Sequence, residues 1–199
     1  PIVTLMLVEQ GDALSDARDL APTTSAGLGL DWEVVVAQPS AAPGAVHGVS
    51  FSQALVEAVR KARGHFVIVT DRVGVPAPDI ATQILRDLSE RASADVVYFD
   101  RAGTSSAEPL LKPVASPERL RSTNYWGGFV AYRRTVLGSL LSQPLSVVGA
   151  ELYELALRAT LQGSVVEHSP VQVSLVSDDL ERRLCRDDSL RRQGAREAL

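Results

Sequence analysis

Asp71 and Arg72 follow directly on the apolar run His65 to Thr70, at the point where a buried strand would end. A carboxylate there can hold a divalent cation or cap a turn. A guanidinium beside it can hold a phosphate through two parallel hydrogen bonds without metal, or can pair with Asp71 itself. A second carboxylate, Asp100, closes the run V-V-Y-F-D, where capping of the strand end is one available role. Asn124 to Gly128 reads N-Y-W-G-G. Tyr125 and Trp126 can stack on a sugar face or fill a core, and the glycine pair lets backbone approach a ligand closely. Glu151 and Glu154 lie in G-A-E-L-Y-E-L-A-L-R, where Glu154 stands four residues before Arg158, the spacing of a helical ion pair.

The elements that must carry these groups follow from hydrophobic pattern. Ile2 to Val8, Trp32 to Ala37, His65 to Thr70 and Asp95 to Phe99 are short, nearly continuous apolar runs, as expected of strands in a sheet covered on both faces. Between them, Phe51 to Arg63 places Leu55, Val56, Val59 and Ala62 on one helical face, with Gly64 expected as its C-cap. Pro78-Asp79 starts another helix with Ile80, Ile84 and Leu88 at four-residue spacing, and a weak helix is possible around Leu14 to Leu20. Alternating strand and helix over the first hundred residues predict an α/β layered fold.

In the second half, Ser116-Pro117-Glu118 is a helix start with serine as cap and proline in the first turn. Gly128 to Arg133 predicts a strand, antiparallel and at the sheet edge. Ala150 to Gln162 predicts an amphipathic helix with Leu152, Leu155, Ala156 and Ala159 inward and Gly163 as its cap. Ser164 to His168 and Val171 to Val176 read as two short strands flanking Pro170. From Asp178 the chain carries six acidic residues and six arginines, a charged C-terminal helix or tail covering residues 177–199.

Bulk properties exclude several classes. At 199 residues, 45% hydrophobic and 22% charged, the chain has the composition of a globular protein with a substantial core. A formal charge of -4 provides no field for nucleic acid, and no apolar run is long enough to span a bilayer. Cys185 is a lone cysteine without catalytic neighbours in sequence, which excludes an internal disulfide and leads us to expect a reducing, cytoplasmic setting. The opening at Pro1 without methionine leads us to expect a domain of a longer chain, whose other domains are candidate partners.

In order and spacing these pieces resemble the family 2 glycosyltransferases of GT-A fold, in particular the bacterial branch that builds O-antigen and rhamnan-like polysaccharides. The resemblance covers Ile2 to Val176. Its most specific part runs from Lys112-Pro113 through Ser116-Pro117, Asn124-Tyr125, Gly127 and Tyr132-Arg133-Arg134 to Leu155 to Arg158. It implies a GT-A-like, Rossmann-like sheet, mixed and mainly parallel, flanked by helices over residues 1–176. It implies a nucleotide diphosphate sugar bound at the C-terminal strand ends, a glycan acceptor, and Mg or Mn as the divalent cation if the domain is active.

The resemblance also assigns roles, and the sequence departs from several. Where the family holds base and ribose with an acidic pair, this chain has Ala37-Gln38-Pro39-Ser40. Gln38 can hydrogen-bond a base edge or be a solvated loop residue, and Ser40 agrees with the family. The metal-binding Asp-x-Asp is Asp71-Arg72-Val73, so one carboxylate remains as metal ligand, followed by the expected Pro78-Asp79. Asp100 matches the acidic end of the fourth strand, and Asn124, Tyr125 and Trp126 fall on the substrate side. The general base position is Leu152, which cannot take a proton; Glu151 precedes it and is the candidate base. His168 matches a family histidine, with a structural role as the competing account, while a later metal-binding histidine is replaced by Ser174 or Leu175. Two readings follow: an inverting sugar transferase with eroded metal and base motifs, or a non-catalytic glycan-binding or docking module.

Overall fold

The computed structural model describes residues 3–8, 32–37, 47–70, 76–103, 108–147 and 149–174. Gln38, Ser40, Asp71 and Arg72 lie outside these residues, as do the helix expected around Leu14 to Leu20 and the charged segment with Cys185. The strands are β1 (Val3–Val8), β2 (Trp32–Ala37), β3 (Phe66–Thr70), β4 (Val96–Arg101), β5 (Phe129–Arg133) and β6 (Val166–Val173). The helices are α1 (His47–Lys61), α2 (Pro78–Glu90), α3 (Pro117–Ser122), α4 (Arg134–Leu140) and α5 (Glu151–Leu161).

The six strands form one sheet in the order β2-β1-β3-β5-β4-β6. β1 runs parallel to β2 and β3, and β4 parallel to β6, while β5 is antiparallel to β3 and β4. This is the mixed, mainly parallel sheet flanked by helices that the sequence leads one to expect.

Its central strands are apolar throughout because both faces are covered. Alternate side chains point to opposite faces. Val67, Val69, Val96, Tyr98, Val130 and Tyr132 join one core with residues of α1, α3, α4 and α5. Phe66, Ile68, Val97, Phe99, Phe129 and Ala131 join another, built on Ile84, Leu85 and Leu88 of α2. In α1, Leu55, Val59 and Ala62 are buried, as their spacing dictates.

Helix ends follow local chemistry. The Ser116 side chain accepts from the Arg119 N–H at 3.2 Å, and Pro117 occupies the first turn of α3. α5 ends in a Schellman motif: Gly163, at φ 73°, donates to Thr160 O at 3.1 Å, and Ser164 N–H reaches Ala159 O at 3.1 Å.

Three expectations need correction. β5 lies in the middle of the sheet rather than at its edge. β3 and β4 pair with it on either side, while the two cores cover its faces and bury Phe129 to Tyr132. β6 is one strand, not two, and it is the edge. The register beside β4 jumps from Phe99↔Ser169 to Asp100↔Gln172, so an irregularity absorbs Pro170, which has no N–H to give. Gly64 does not cap α1 through a left-handed turn. A Cβ there would stand 2.6 Å from Thr4 N and 2.8 Å from Phe66 O, so glycine is required by close backbone approach to β1.

Candidate functional site

The parallel strand order turns at β1, which has β2 on one side and β3 on the other. The crevice beyond the carboxyl ends of such strands is where open α/β sheets take ligands. Thr70, the last residue of β3, pairs with Phe129, the first of β5, so the Gly127-Gly128 turn enters the sheet at this same end. Asp100 and Arg101 close β4 there. A small cleft of about 90 Å³ is lined by Asp100, Arg101, Lys112, Gly127, Gly128 and Phe129, among others.

Asp100 is 4% exposed, and its Oδ1 accepts from the Lys112 backbone N–H at 2.7 Å and bonds His168 Nε2 at 2.8 Å. It thus lies within β4, where it ties the 108–116 segment and the edge strand β6 to the strand end. The Lys112 side chain returns across the cleft: its Nζ donates to Trp126 O at 2.6 Å. Gly127 follows at φ 71°, and a Cβ on it would stand 3.5 Å from that ammonium.

An aromatic cluster backs this wall. Tyr98 stacks on Trp126 with centroids 5.4 Å apart, stacks on His168 at 5.1 Å, and meets Tyr125 edge-on at 5.6 Å. The Tyr98 hydroxyl donates to Pro113 O at 2.5 Å, and burial pushes its phenol well above the ordinary value. Trp126 is 2% exposed, part of the core cluster, and its indole Nε1 is buried without a partner. Tyr125 is half-buried and holds the cap of α3: its hydroxyl accepts from Ser116 N–H at 2.8 Å and donates to Ser116 O at 3.3 Å. The Asn124 Oδ1 accepts from Gly127 N–H at 3.2 Å, closing the turn.

The acidic pair of α5 divides its roles. Glu154 accepts from Ser146 N–H at 2.7 Å and Val147 N–H at 3.0 Å, and pairs with Arg158 at 2.6 Å. Arg158 donates in turn to the carbonyls of Leu140, Gln143 and Pro144. The two are a clasp for the 140–147 loop, the i,i+4 pair their spacing suggests. Glu151, in the first turn of α5, is 3% exposed and its Oε1 is buried without a hydrogen-bond partner. Leu152 beside it packs on the core cluster.

Among the described residues, no group of three or more His, Cys, Asp or Glu side chains could hold a metal ion. Asp100, the carboxylate in the cleft, has Oδ1 committed to Lys112 and His168, so the described part of the site does not fit a divalent cation. Nor is any helix among them long and apolar enough to cross a membrane. The cleft includes two cations, Arg101 and Lys112, that the sequence gives little reason to single out as ligand-facing. Lys112 opens the Lys112-Pro113 step on which the resemblance rests, but nothing in its sequence neighbourhood places it at the cleft.

No protein-family model matches the chain, and no curated protein matches it. Solved structures do. A mannosyltransferase, PcManGT, from Pyrobaculum calidifontis, in complex with GDP-Man and Mn2+, superposes with a TM-score of 0.52 at 17% identity, over 89% of this chain. The fold is that of GT-A-like transferases. This chain spans 58% of that protein's length. A CMP:2-keto-3-deoxy-manno-octonic acid synthetase complexed with CTP matches at a TM-score of 0.45 and 12% identity, over 96% of this chain and 100% of its own.

Proposed function

We propose that this chain is a glycosyltransferase-like domain of family 2 type, from polysaccharide biosynthesis, which keeps a cleft for a nucleotide diphosphate sugar while its transfer chemistry is eroded. The observation that carries this reading is the fate of the acidic groups. Asp100 and Glu154 are spent on internal donors, Leu152 packs on the core where the resemblance expects the base, and Glu151 keeps a buried, unpartnered oxygen. In this reading Gln38 and Ser40 meet base and ribose, and Asp71 and Arg72 meet the diphosphate. Asn124, Tyr125 and Trp126 shape the acceptor side through the turn they hold. Any remaining transfer uses Glu151: its carboxylate takes the acceptor hydroxyl proton, the acceptor oxygen bonds the anomeric carbon, and the nucleoside diphosphate leaves with the electron pair of the broken bond.

Thermal unfolding with uridine, guanosine and thymidine diphosphates, with and without Mn²⁺, tests this. A ligand at 100 times its Kd stabilises by about 2.7 kcal/mol. A shift with one nucleotide supports the reading, and dependence on Mn²⁺ brings in Asp71 as ligand. Glu151→Gln should then keep the shift and lower any turnover by about 10²–10⁴-fold, the usual share of a general base.

A second reading, a docking module of a larger protein, is favoured by one observation. Leu110, Leu111 and Val114 are 48%, 65% and 76% exposed within one segment beside the cleft. Silence with all three nucleotides supports that reading and removes the first.

A further inference from the structure

We propose that the segment following β6, residues 175–184, packs back over the exposed apolar stretch 110–114 of the same chain. The inference goes beyond both readings above and rests on neither.

Leu110, Leu111 and Val114 are three of the five large apolar side chains exposed among the described residues. The other two, Leu161 and Val165, lie where α5 ends and β6 begins. Single apolar residues on a surface are ordinary, whereas three within five positions mark a surface that something covers.

The place where the chain leaves the described residues says what covers it. Arg101, the last residue of β4, has Val173 as its partner in β6 and Leu110 as its partner in an antiparallel bridge. Arg101 N–H donates to Leu110 O at 3.1 Å and Leu110 N–H to Arg101 O at 3.0 Å, while on the other side Ala102 N–H reaches Val173 O at 3.0 Å. Val173 and Leu110 therefore flank one residue, two strand spacings or about 10 Å apart. Both line the cleft. β6 ends at Val173 and the last described residue is Ser174. The chain thus passes into residues 175–184 beside the apolar stretch, at a distance that a few extended residues span.

The sequence that follows suits this place. In L-V-S-D-D-L-E-R-R-L, Ser177 with Asp178 and Asp179 has the form of a helix start, a cap and then an acidic first turn. Val176, Leu180 and Leu184 recur every fourth residue, with charged residues filling most positions between them. On a helix they form one narrow apolar stripe about 12 Å long. An extended stretch from Leu110 to Val114 runs about 13 Å. A tether this short holds the stripe at about millimolar effective concentration, which a separate partner would have to match in solution.

The single cysteine, Cys185, follows the stripe directly and supplies the probe. Leu111→Cys and, independently, Val114→Cys are made in the 199-residue chain, and disulfide closure with Cys185 is timed in oxidised glutathione at dilute protein. Each should close within one chain. Adding Leu180→Ser and Leu184→Ser keeps tether length and charge and should slow closure by about tenfold or more, the effective concentration lost when a docked segment is set free. Equal rates with and without the serine pair overturn the proposal, because attachment at Ser174 then accounts for closure by itself. Products linked between chains overturn it too, and assign the stretch to a second copy. So does failure of both new cysteines to close while Cys185 still reacts with a small thiol reagent. Closure that depends on Leu180 and Leu184 takes the exposed stretch away from the docking-module reading and leaves the nucleotide test as it stands.

Discussion

His168 and Asp100, 68 residues apart in sequence, meet through Nε2 and Oδ1 at 2.8 Å and join the edge strand β6 to the carboxyl end of β4. The same oxygen accepts the Lys112 N–H, so one buried carboxylate holds a strand edge and a loop at the mouth of the cleft. Asp100→Ala leaves both donors without this acceptor; they are only partly buried, so the total cost should be about 1–3 kcal/mol. Urea unfolding should show that loss. Asp100→Asn keeps a carbonyl acceptor and should cost less than half as much. Equal costs for the two variants would remove the double acceptor from the account.

Trp126 combines a large stacked surface with an indole N–H that has no partner. Trp126→Phe keeps much of the stack on Tyr98 and removes the orphaned donor, so its cost should be small, below about 1.5 kcal/mol. Trp126→Ala opens the core and should cost about 3–5 kcal/mol. Denaturation midpoints of the two variants give the comparison, and a Phe variant as damaging as Ala would mean that the N–H is satisfied in solution.

Gly64 has no room for a methyl group, since a Cβ would press on the backbone of Thr4 and Phe66. Gly64→Ala should destabilise by about 1–3 kcal/mol or more, through displacement of β1 from the end of α1. A gain in thermal midpoint, as expected where only chain entropy changes, would contradict that close approach.

Glu33 closes the opposite end of the sheet, taking hydrogen bonds from Thr4 Oγ1, from the Arg63 N–H and side chain, and from Gly64 N–H at 3.1 Å. Burial alone would raise its pKa, but these donors outweigh burial and hold it below the ordinary 4.5. A depressed folded-state pKa adds stability above the unfolded value that is lost as pH falls through the folded one. Stability should therefore fall on acidification below about pH 4.5, and Glu33→Gln should flatten that part of the profile. An unchanged slope in the variant would assign the acid sensitivity to other carboxylates.

Much of this architecture is legible in the chain because hydrophobic period is a local property. V-V-Y-F, F-V-I-V and the Leu55-Val59-Ala62 stripe announce covered strands and one-sided helices without any long-range information. Ser116 and Gly163 mark helix ends for the same reason, since capping involves residues three or four apart. The Glu154–Arg158 pair is also local, one helical turn.

What the sequence could not assign depends on which strand lies beside which. F-V-A-Y is apolar whether central or terminal, and only pairing with both β3 and β4 puts it in the middle. The sequence alone supplied the layers, the helix ends at Ser116 and Gly163, and the candidate acids. The tertiary structure decided which acids are already engaged: Asp100 by partners 12 and 68 residues away, Glu154 by a loop, and Glu151 by none for its Oε1. Hydrogen-bond satisfaction of a buried carboxylate is a property of packed neighbours, and chain spacing does not encode it.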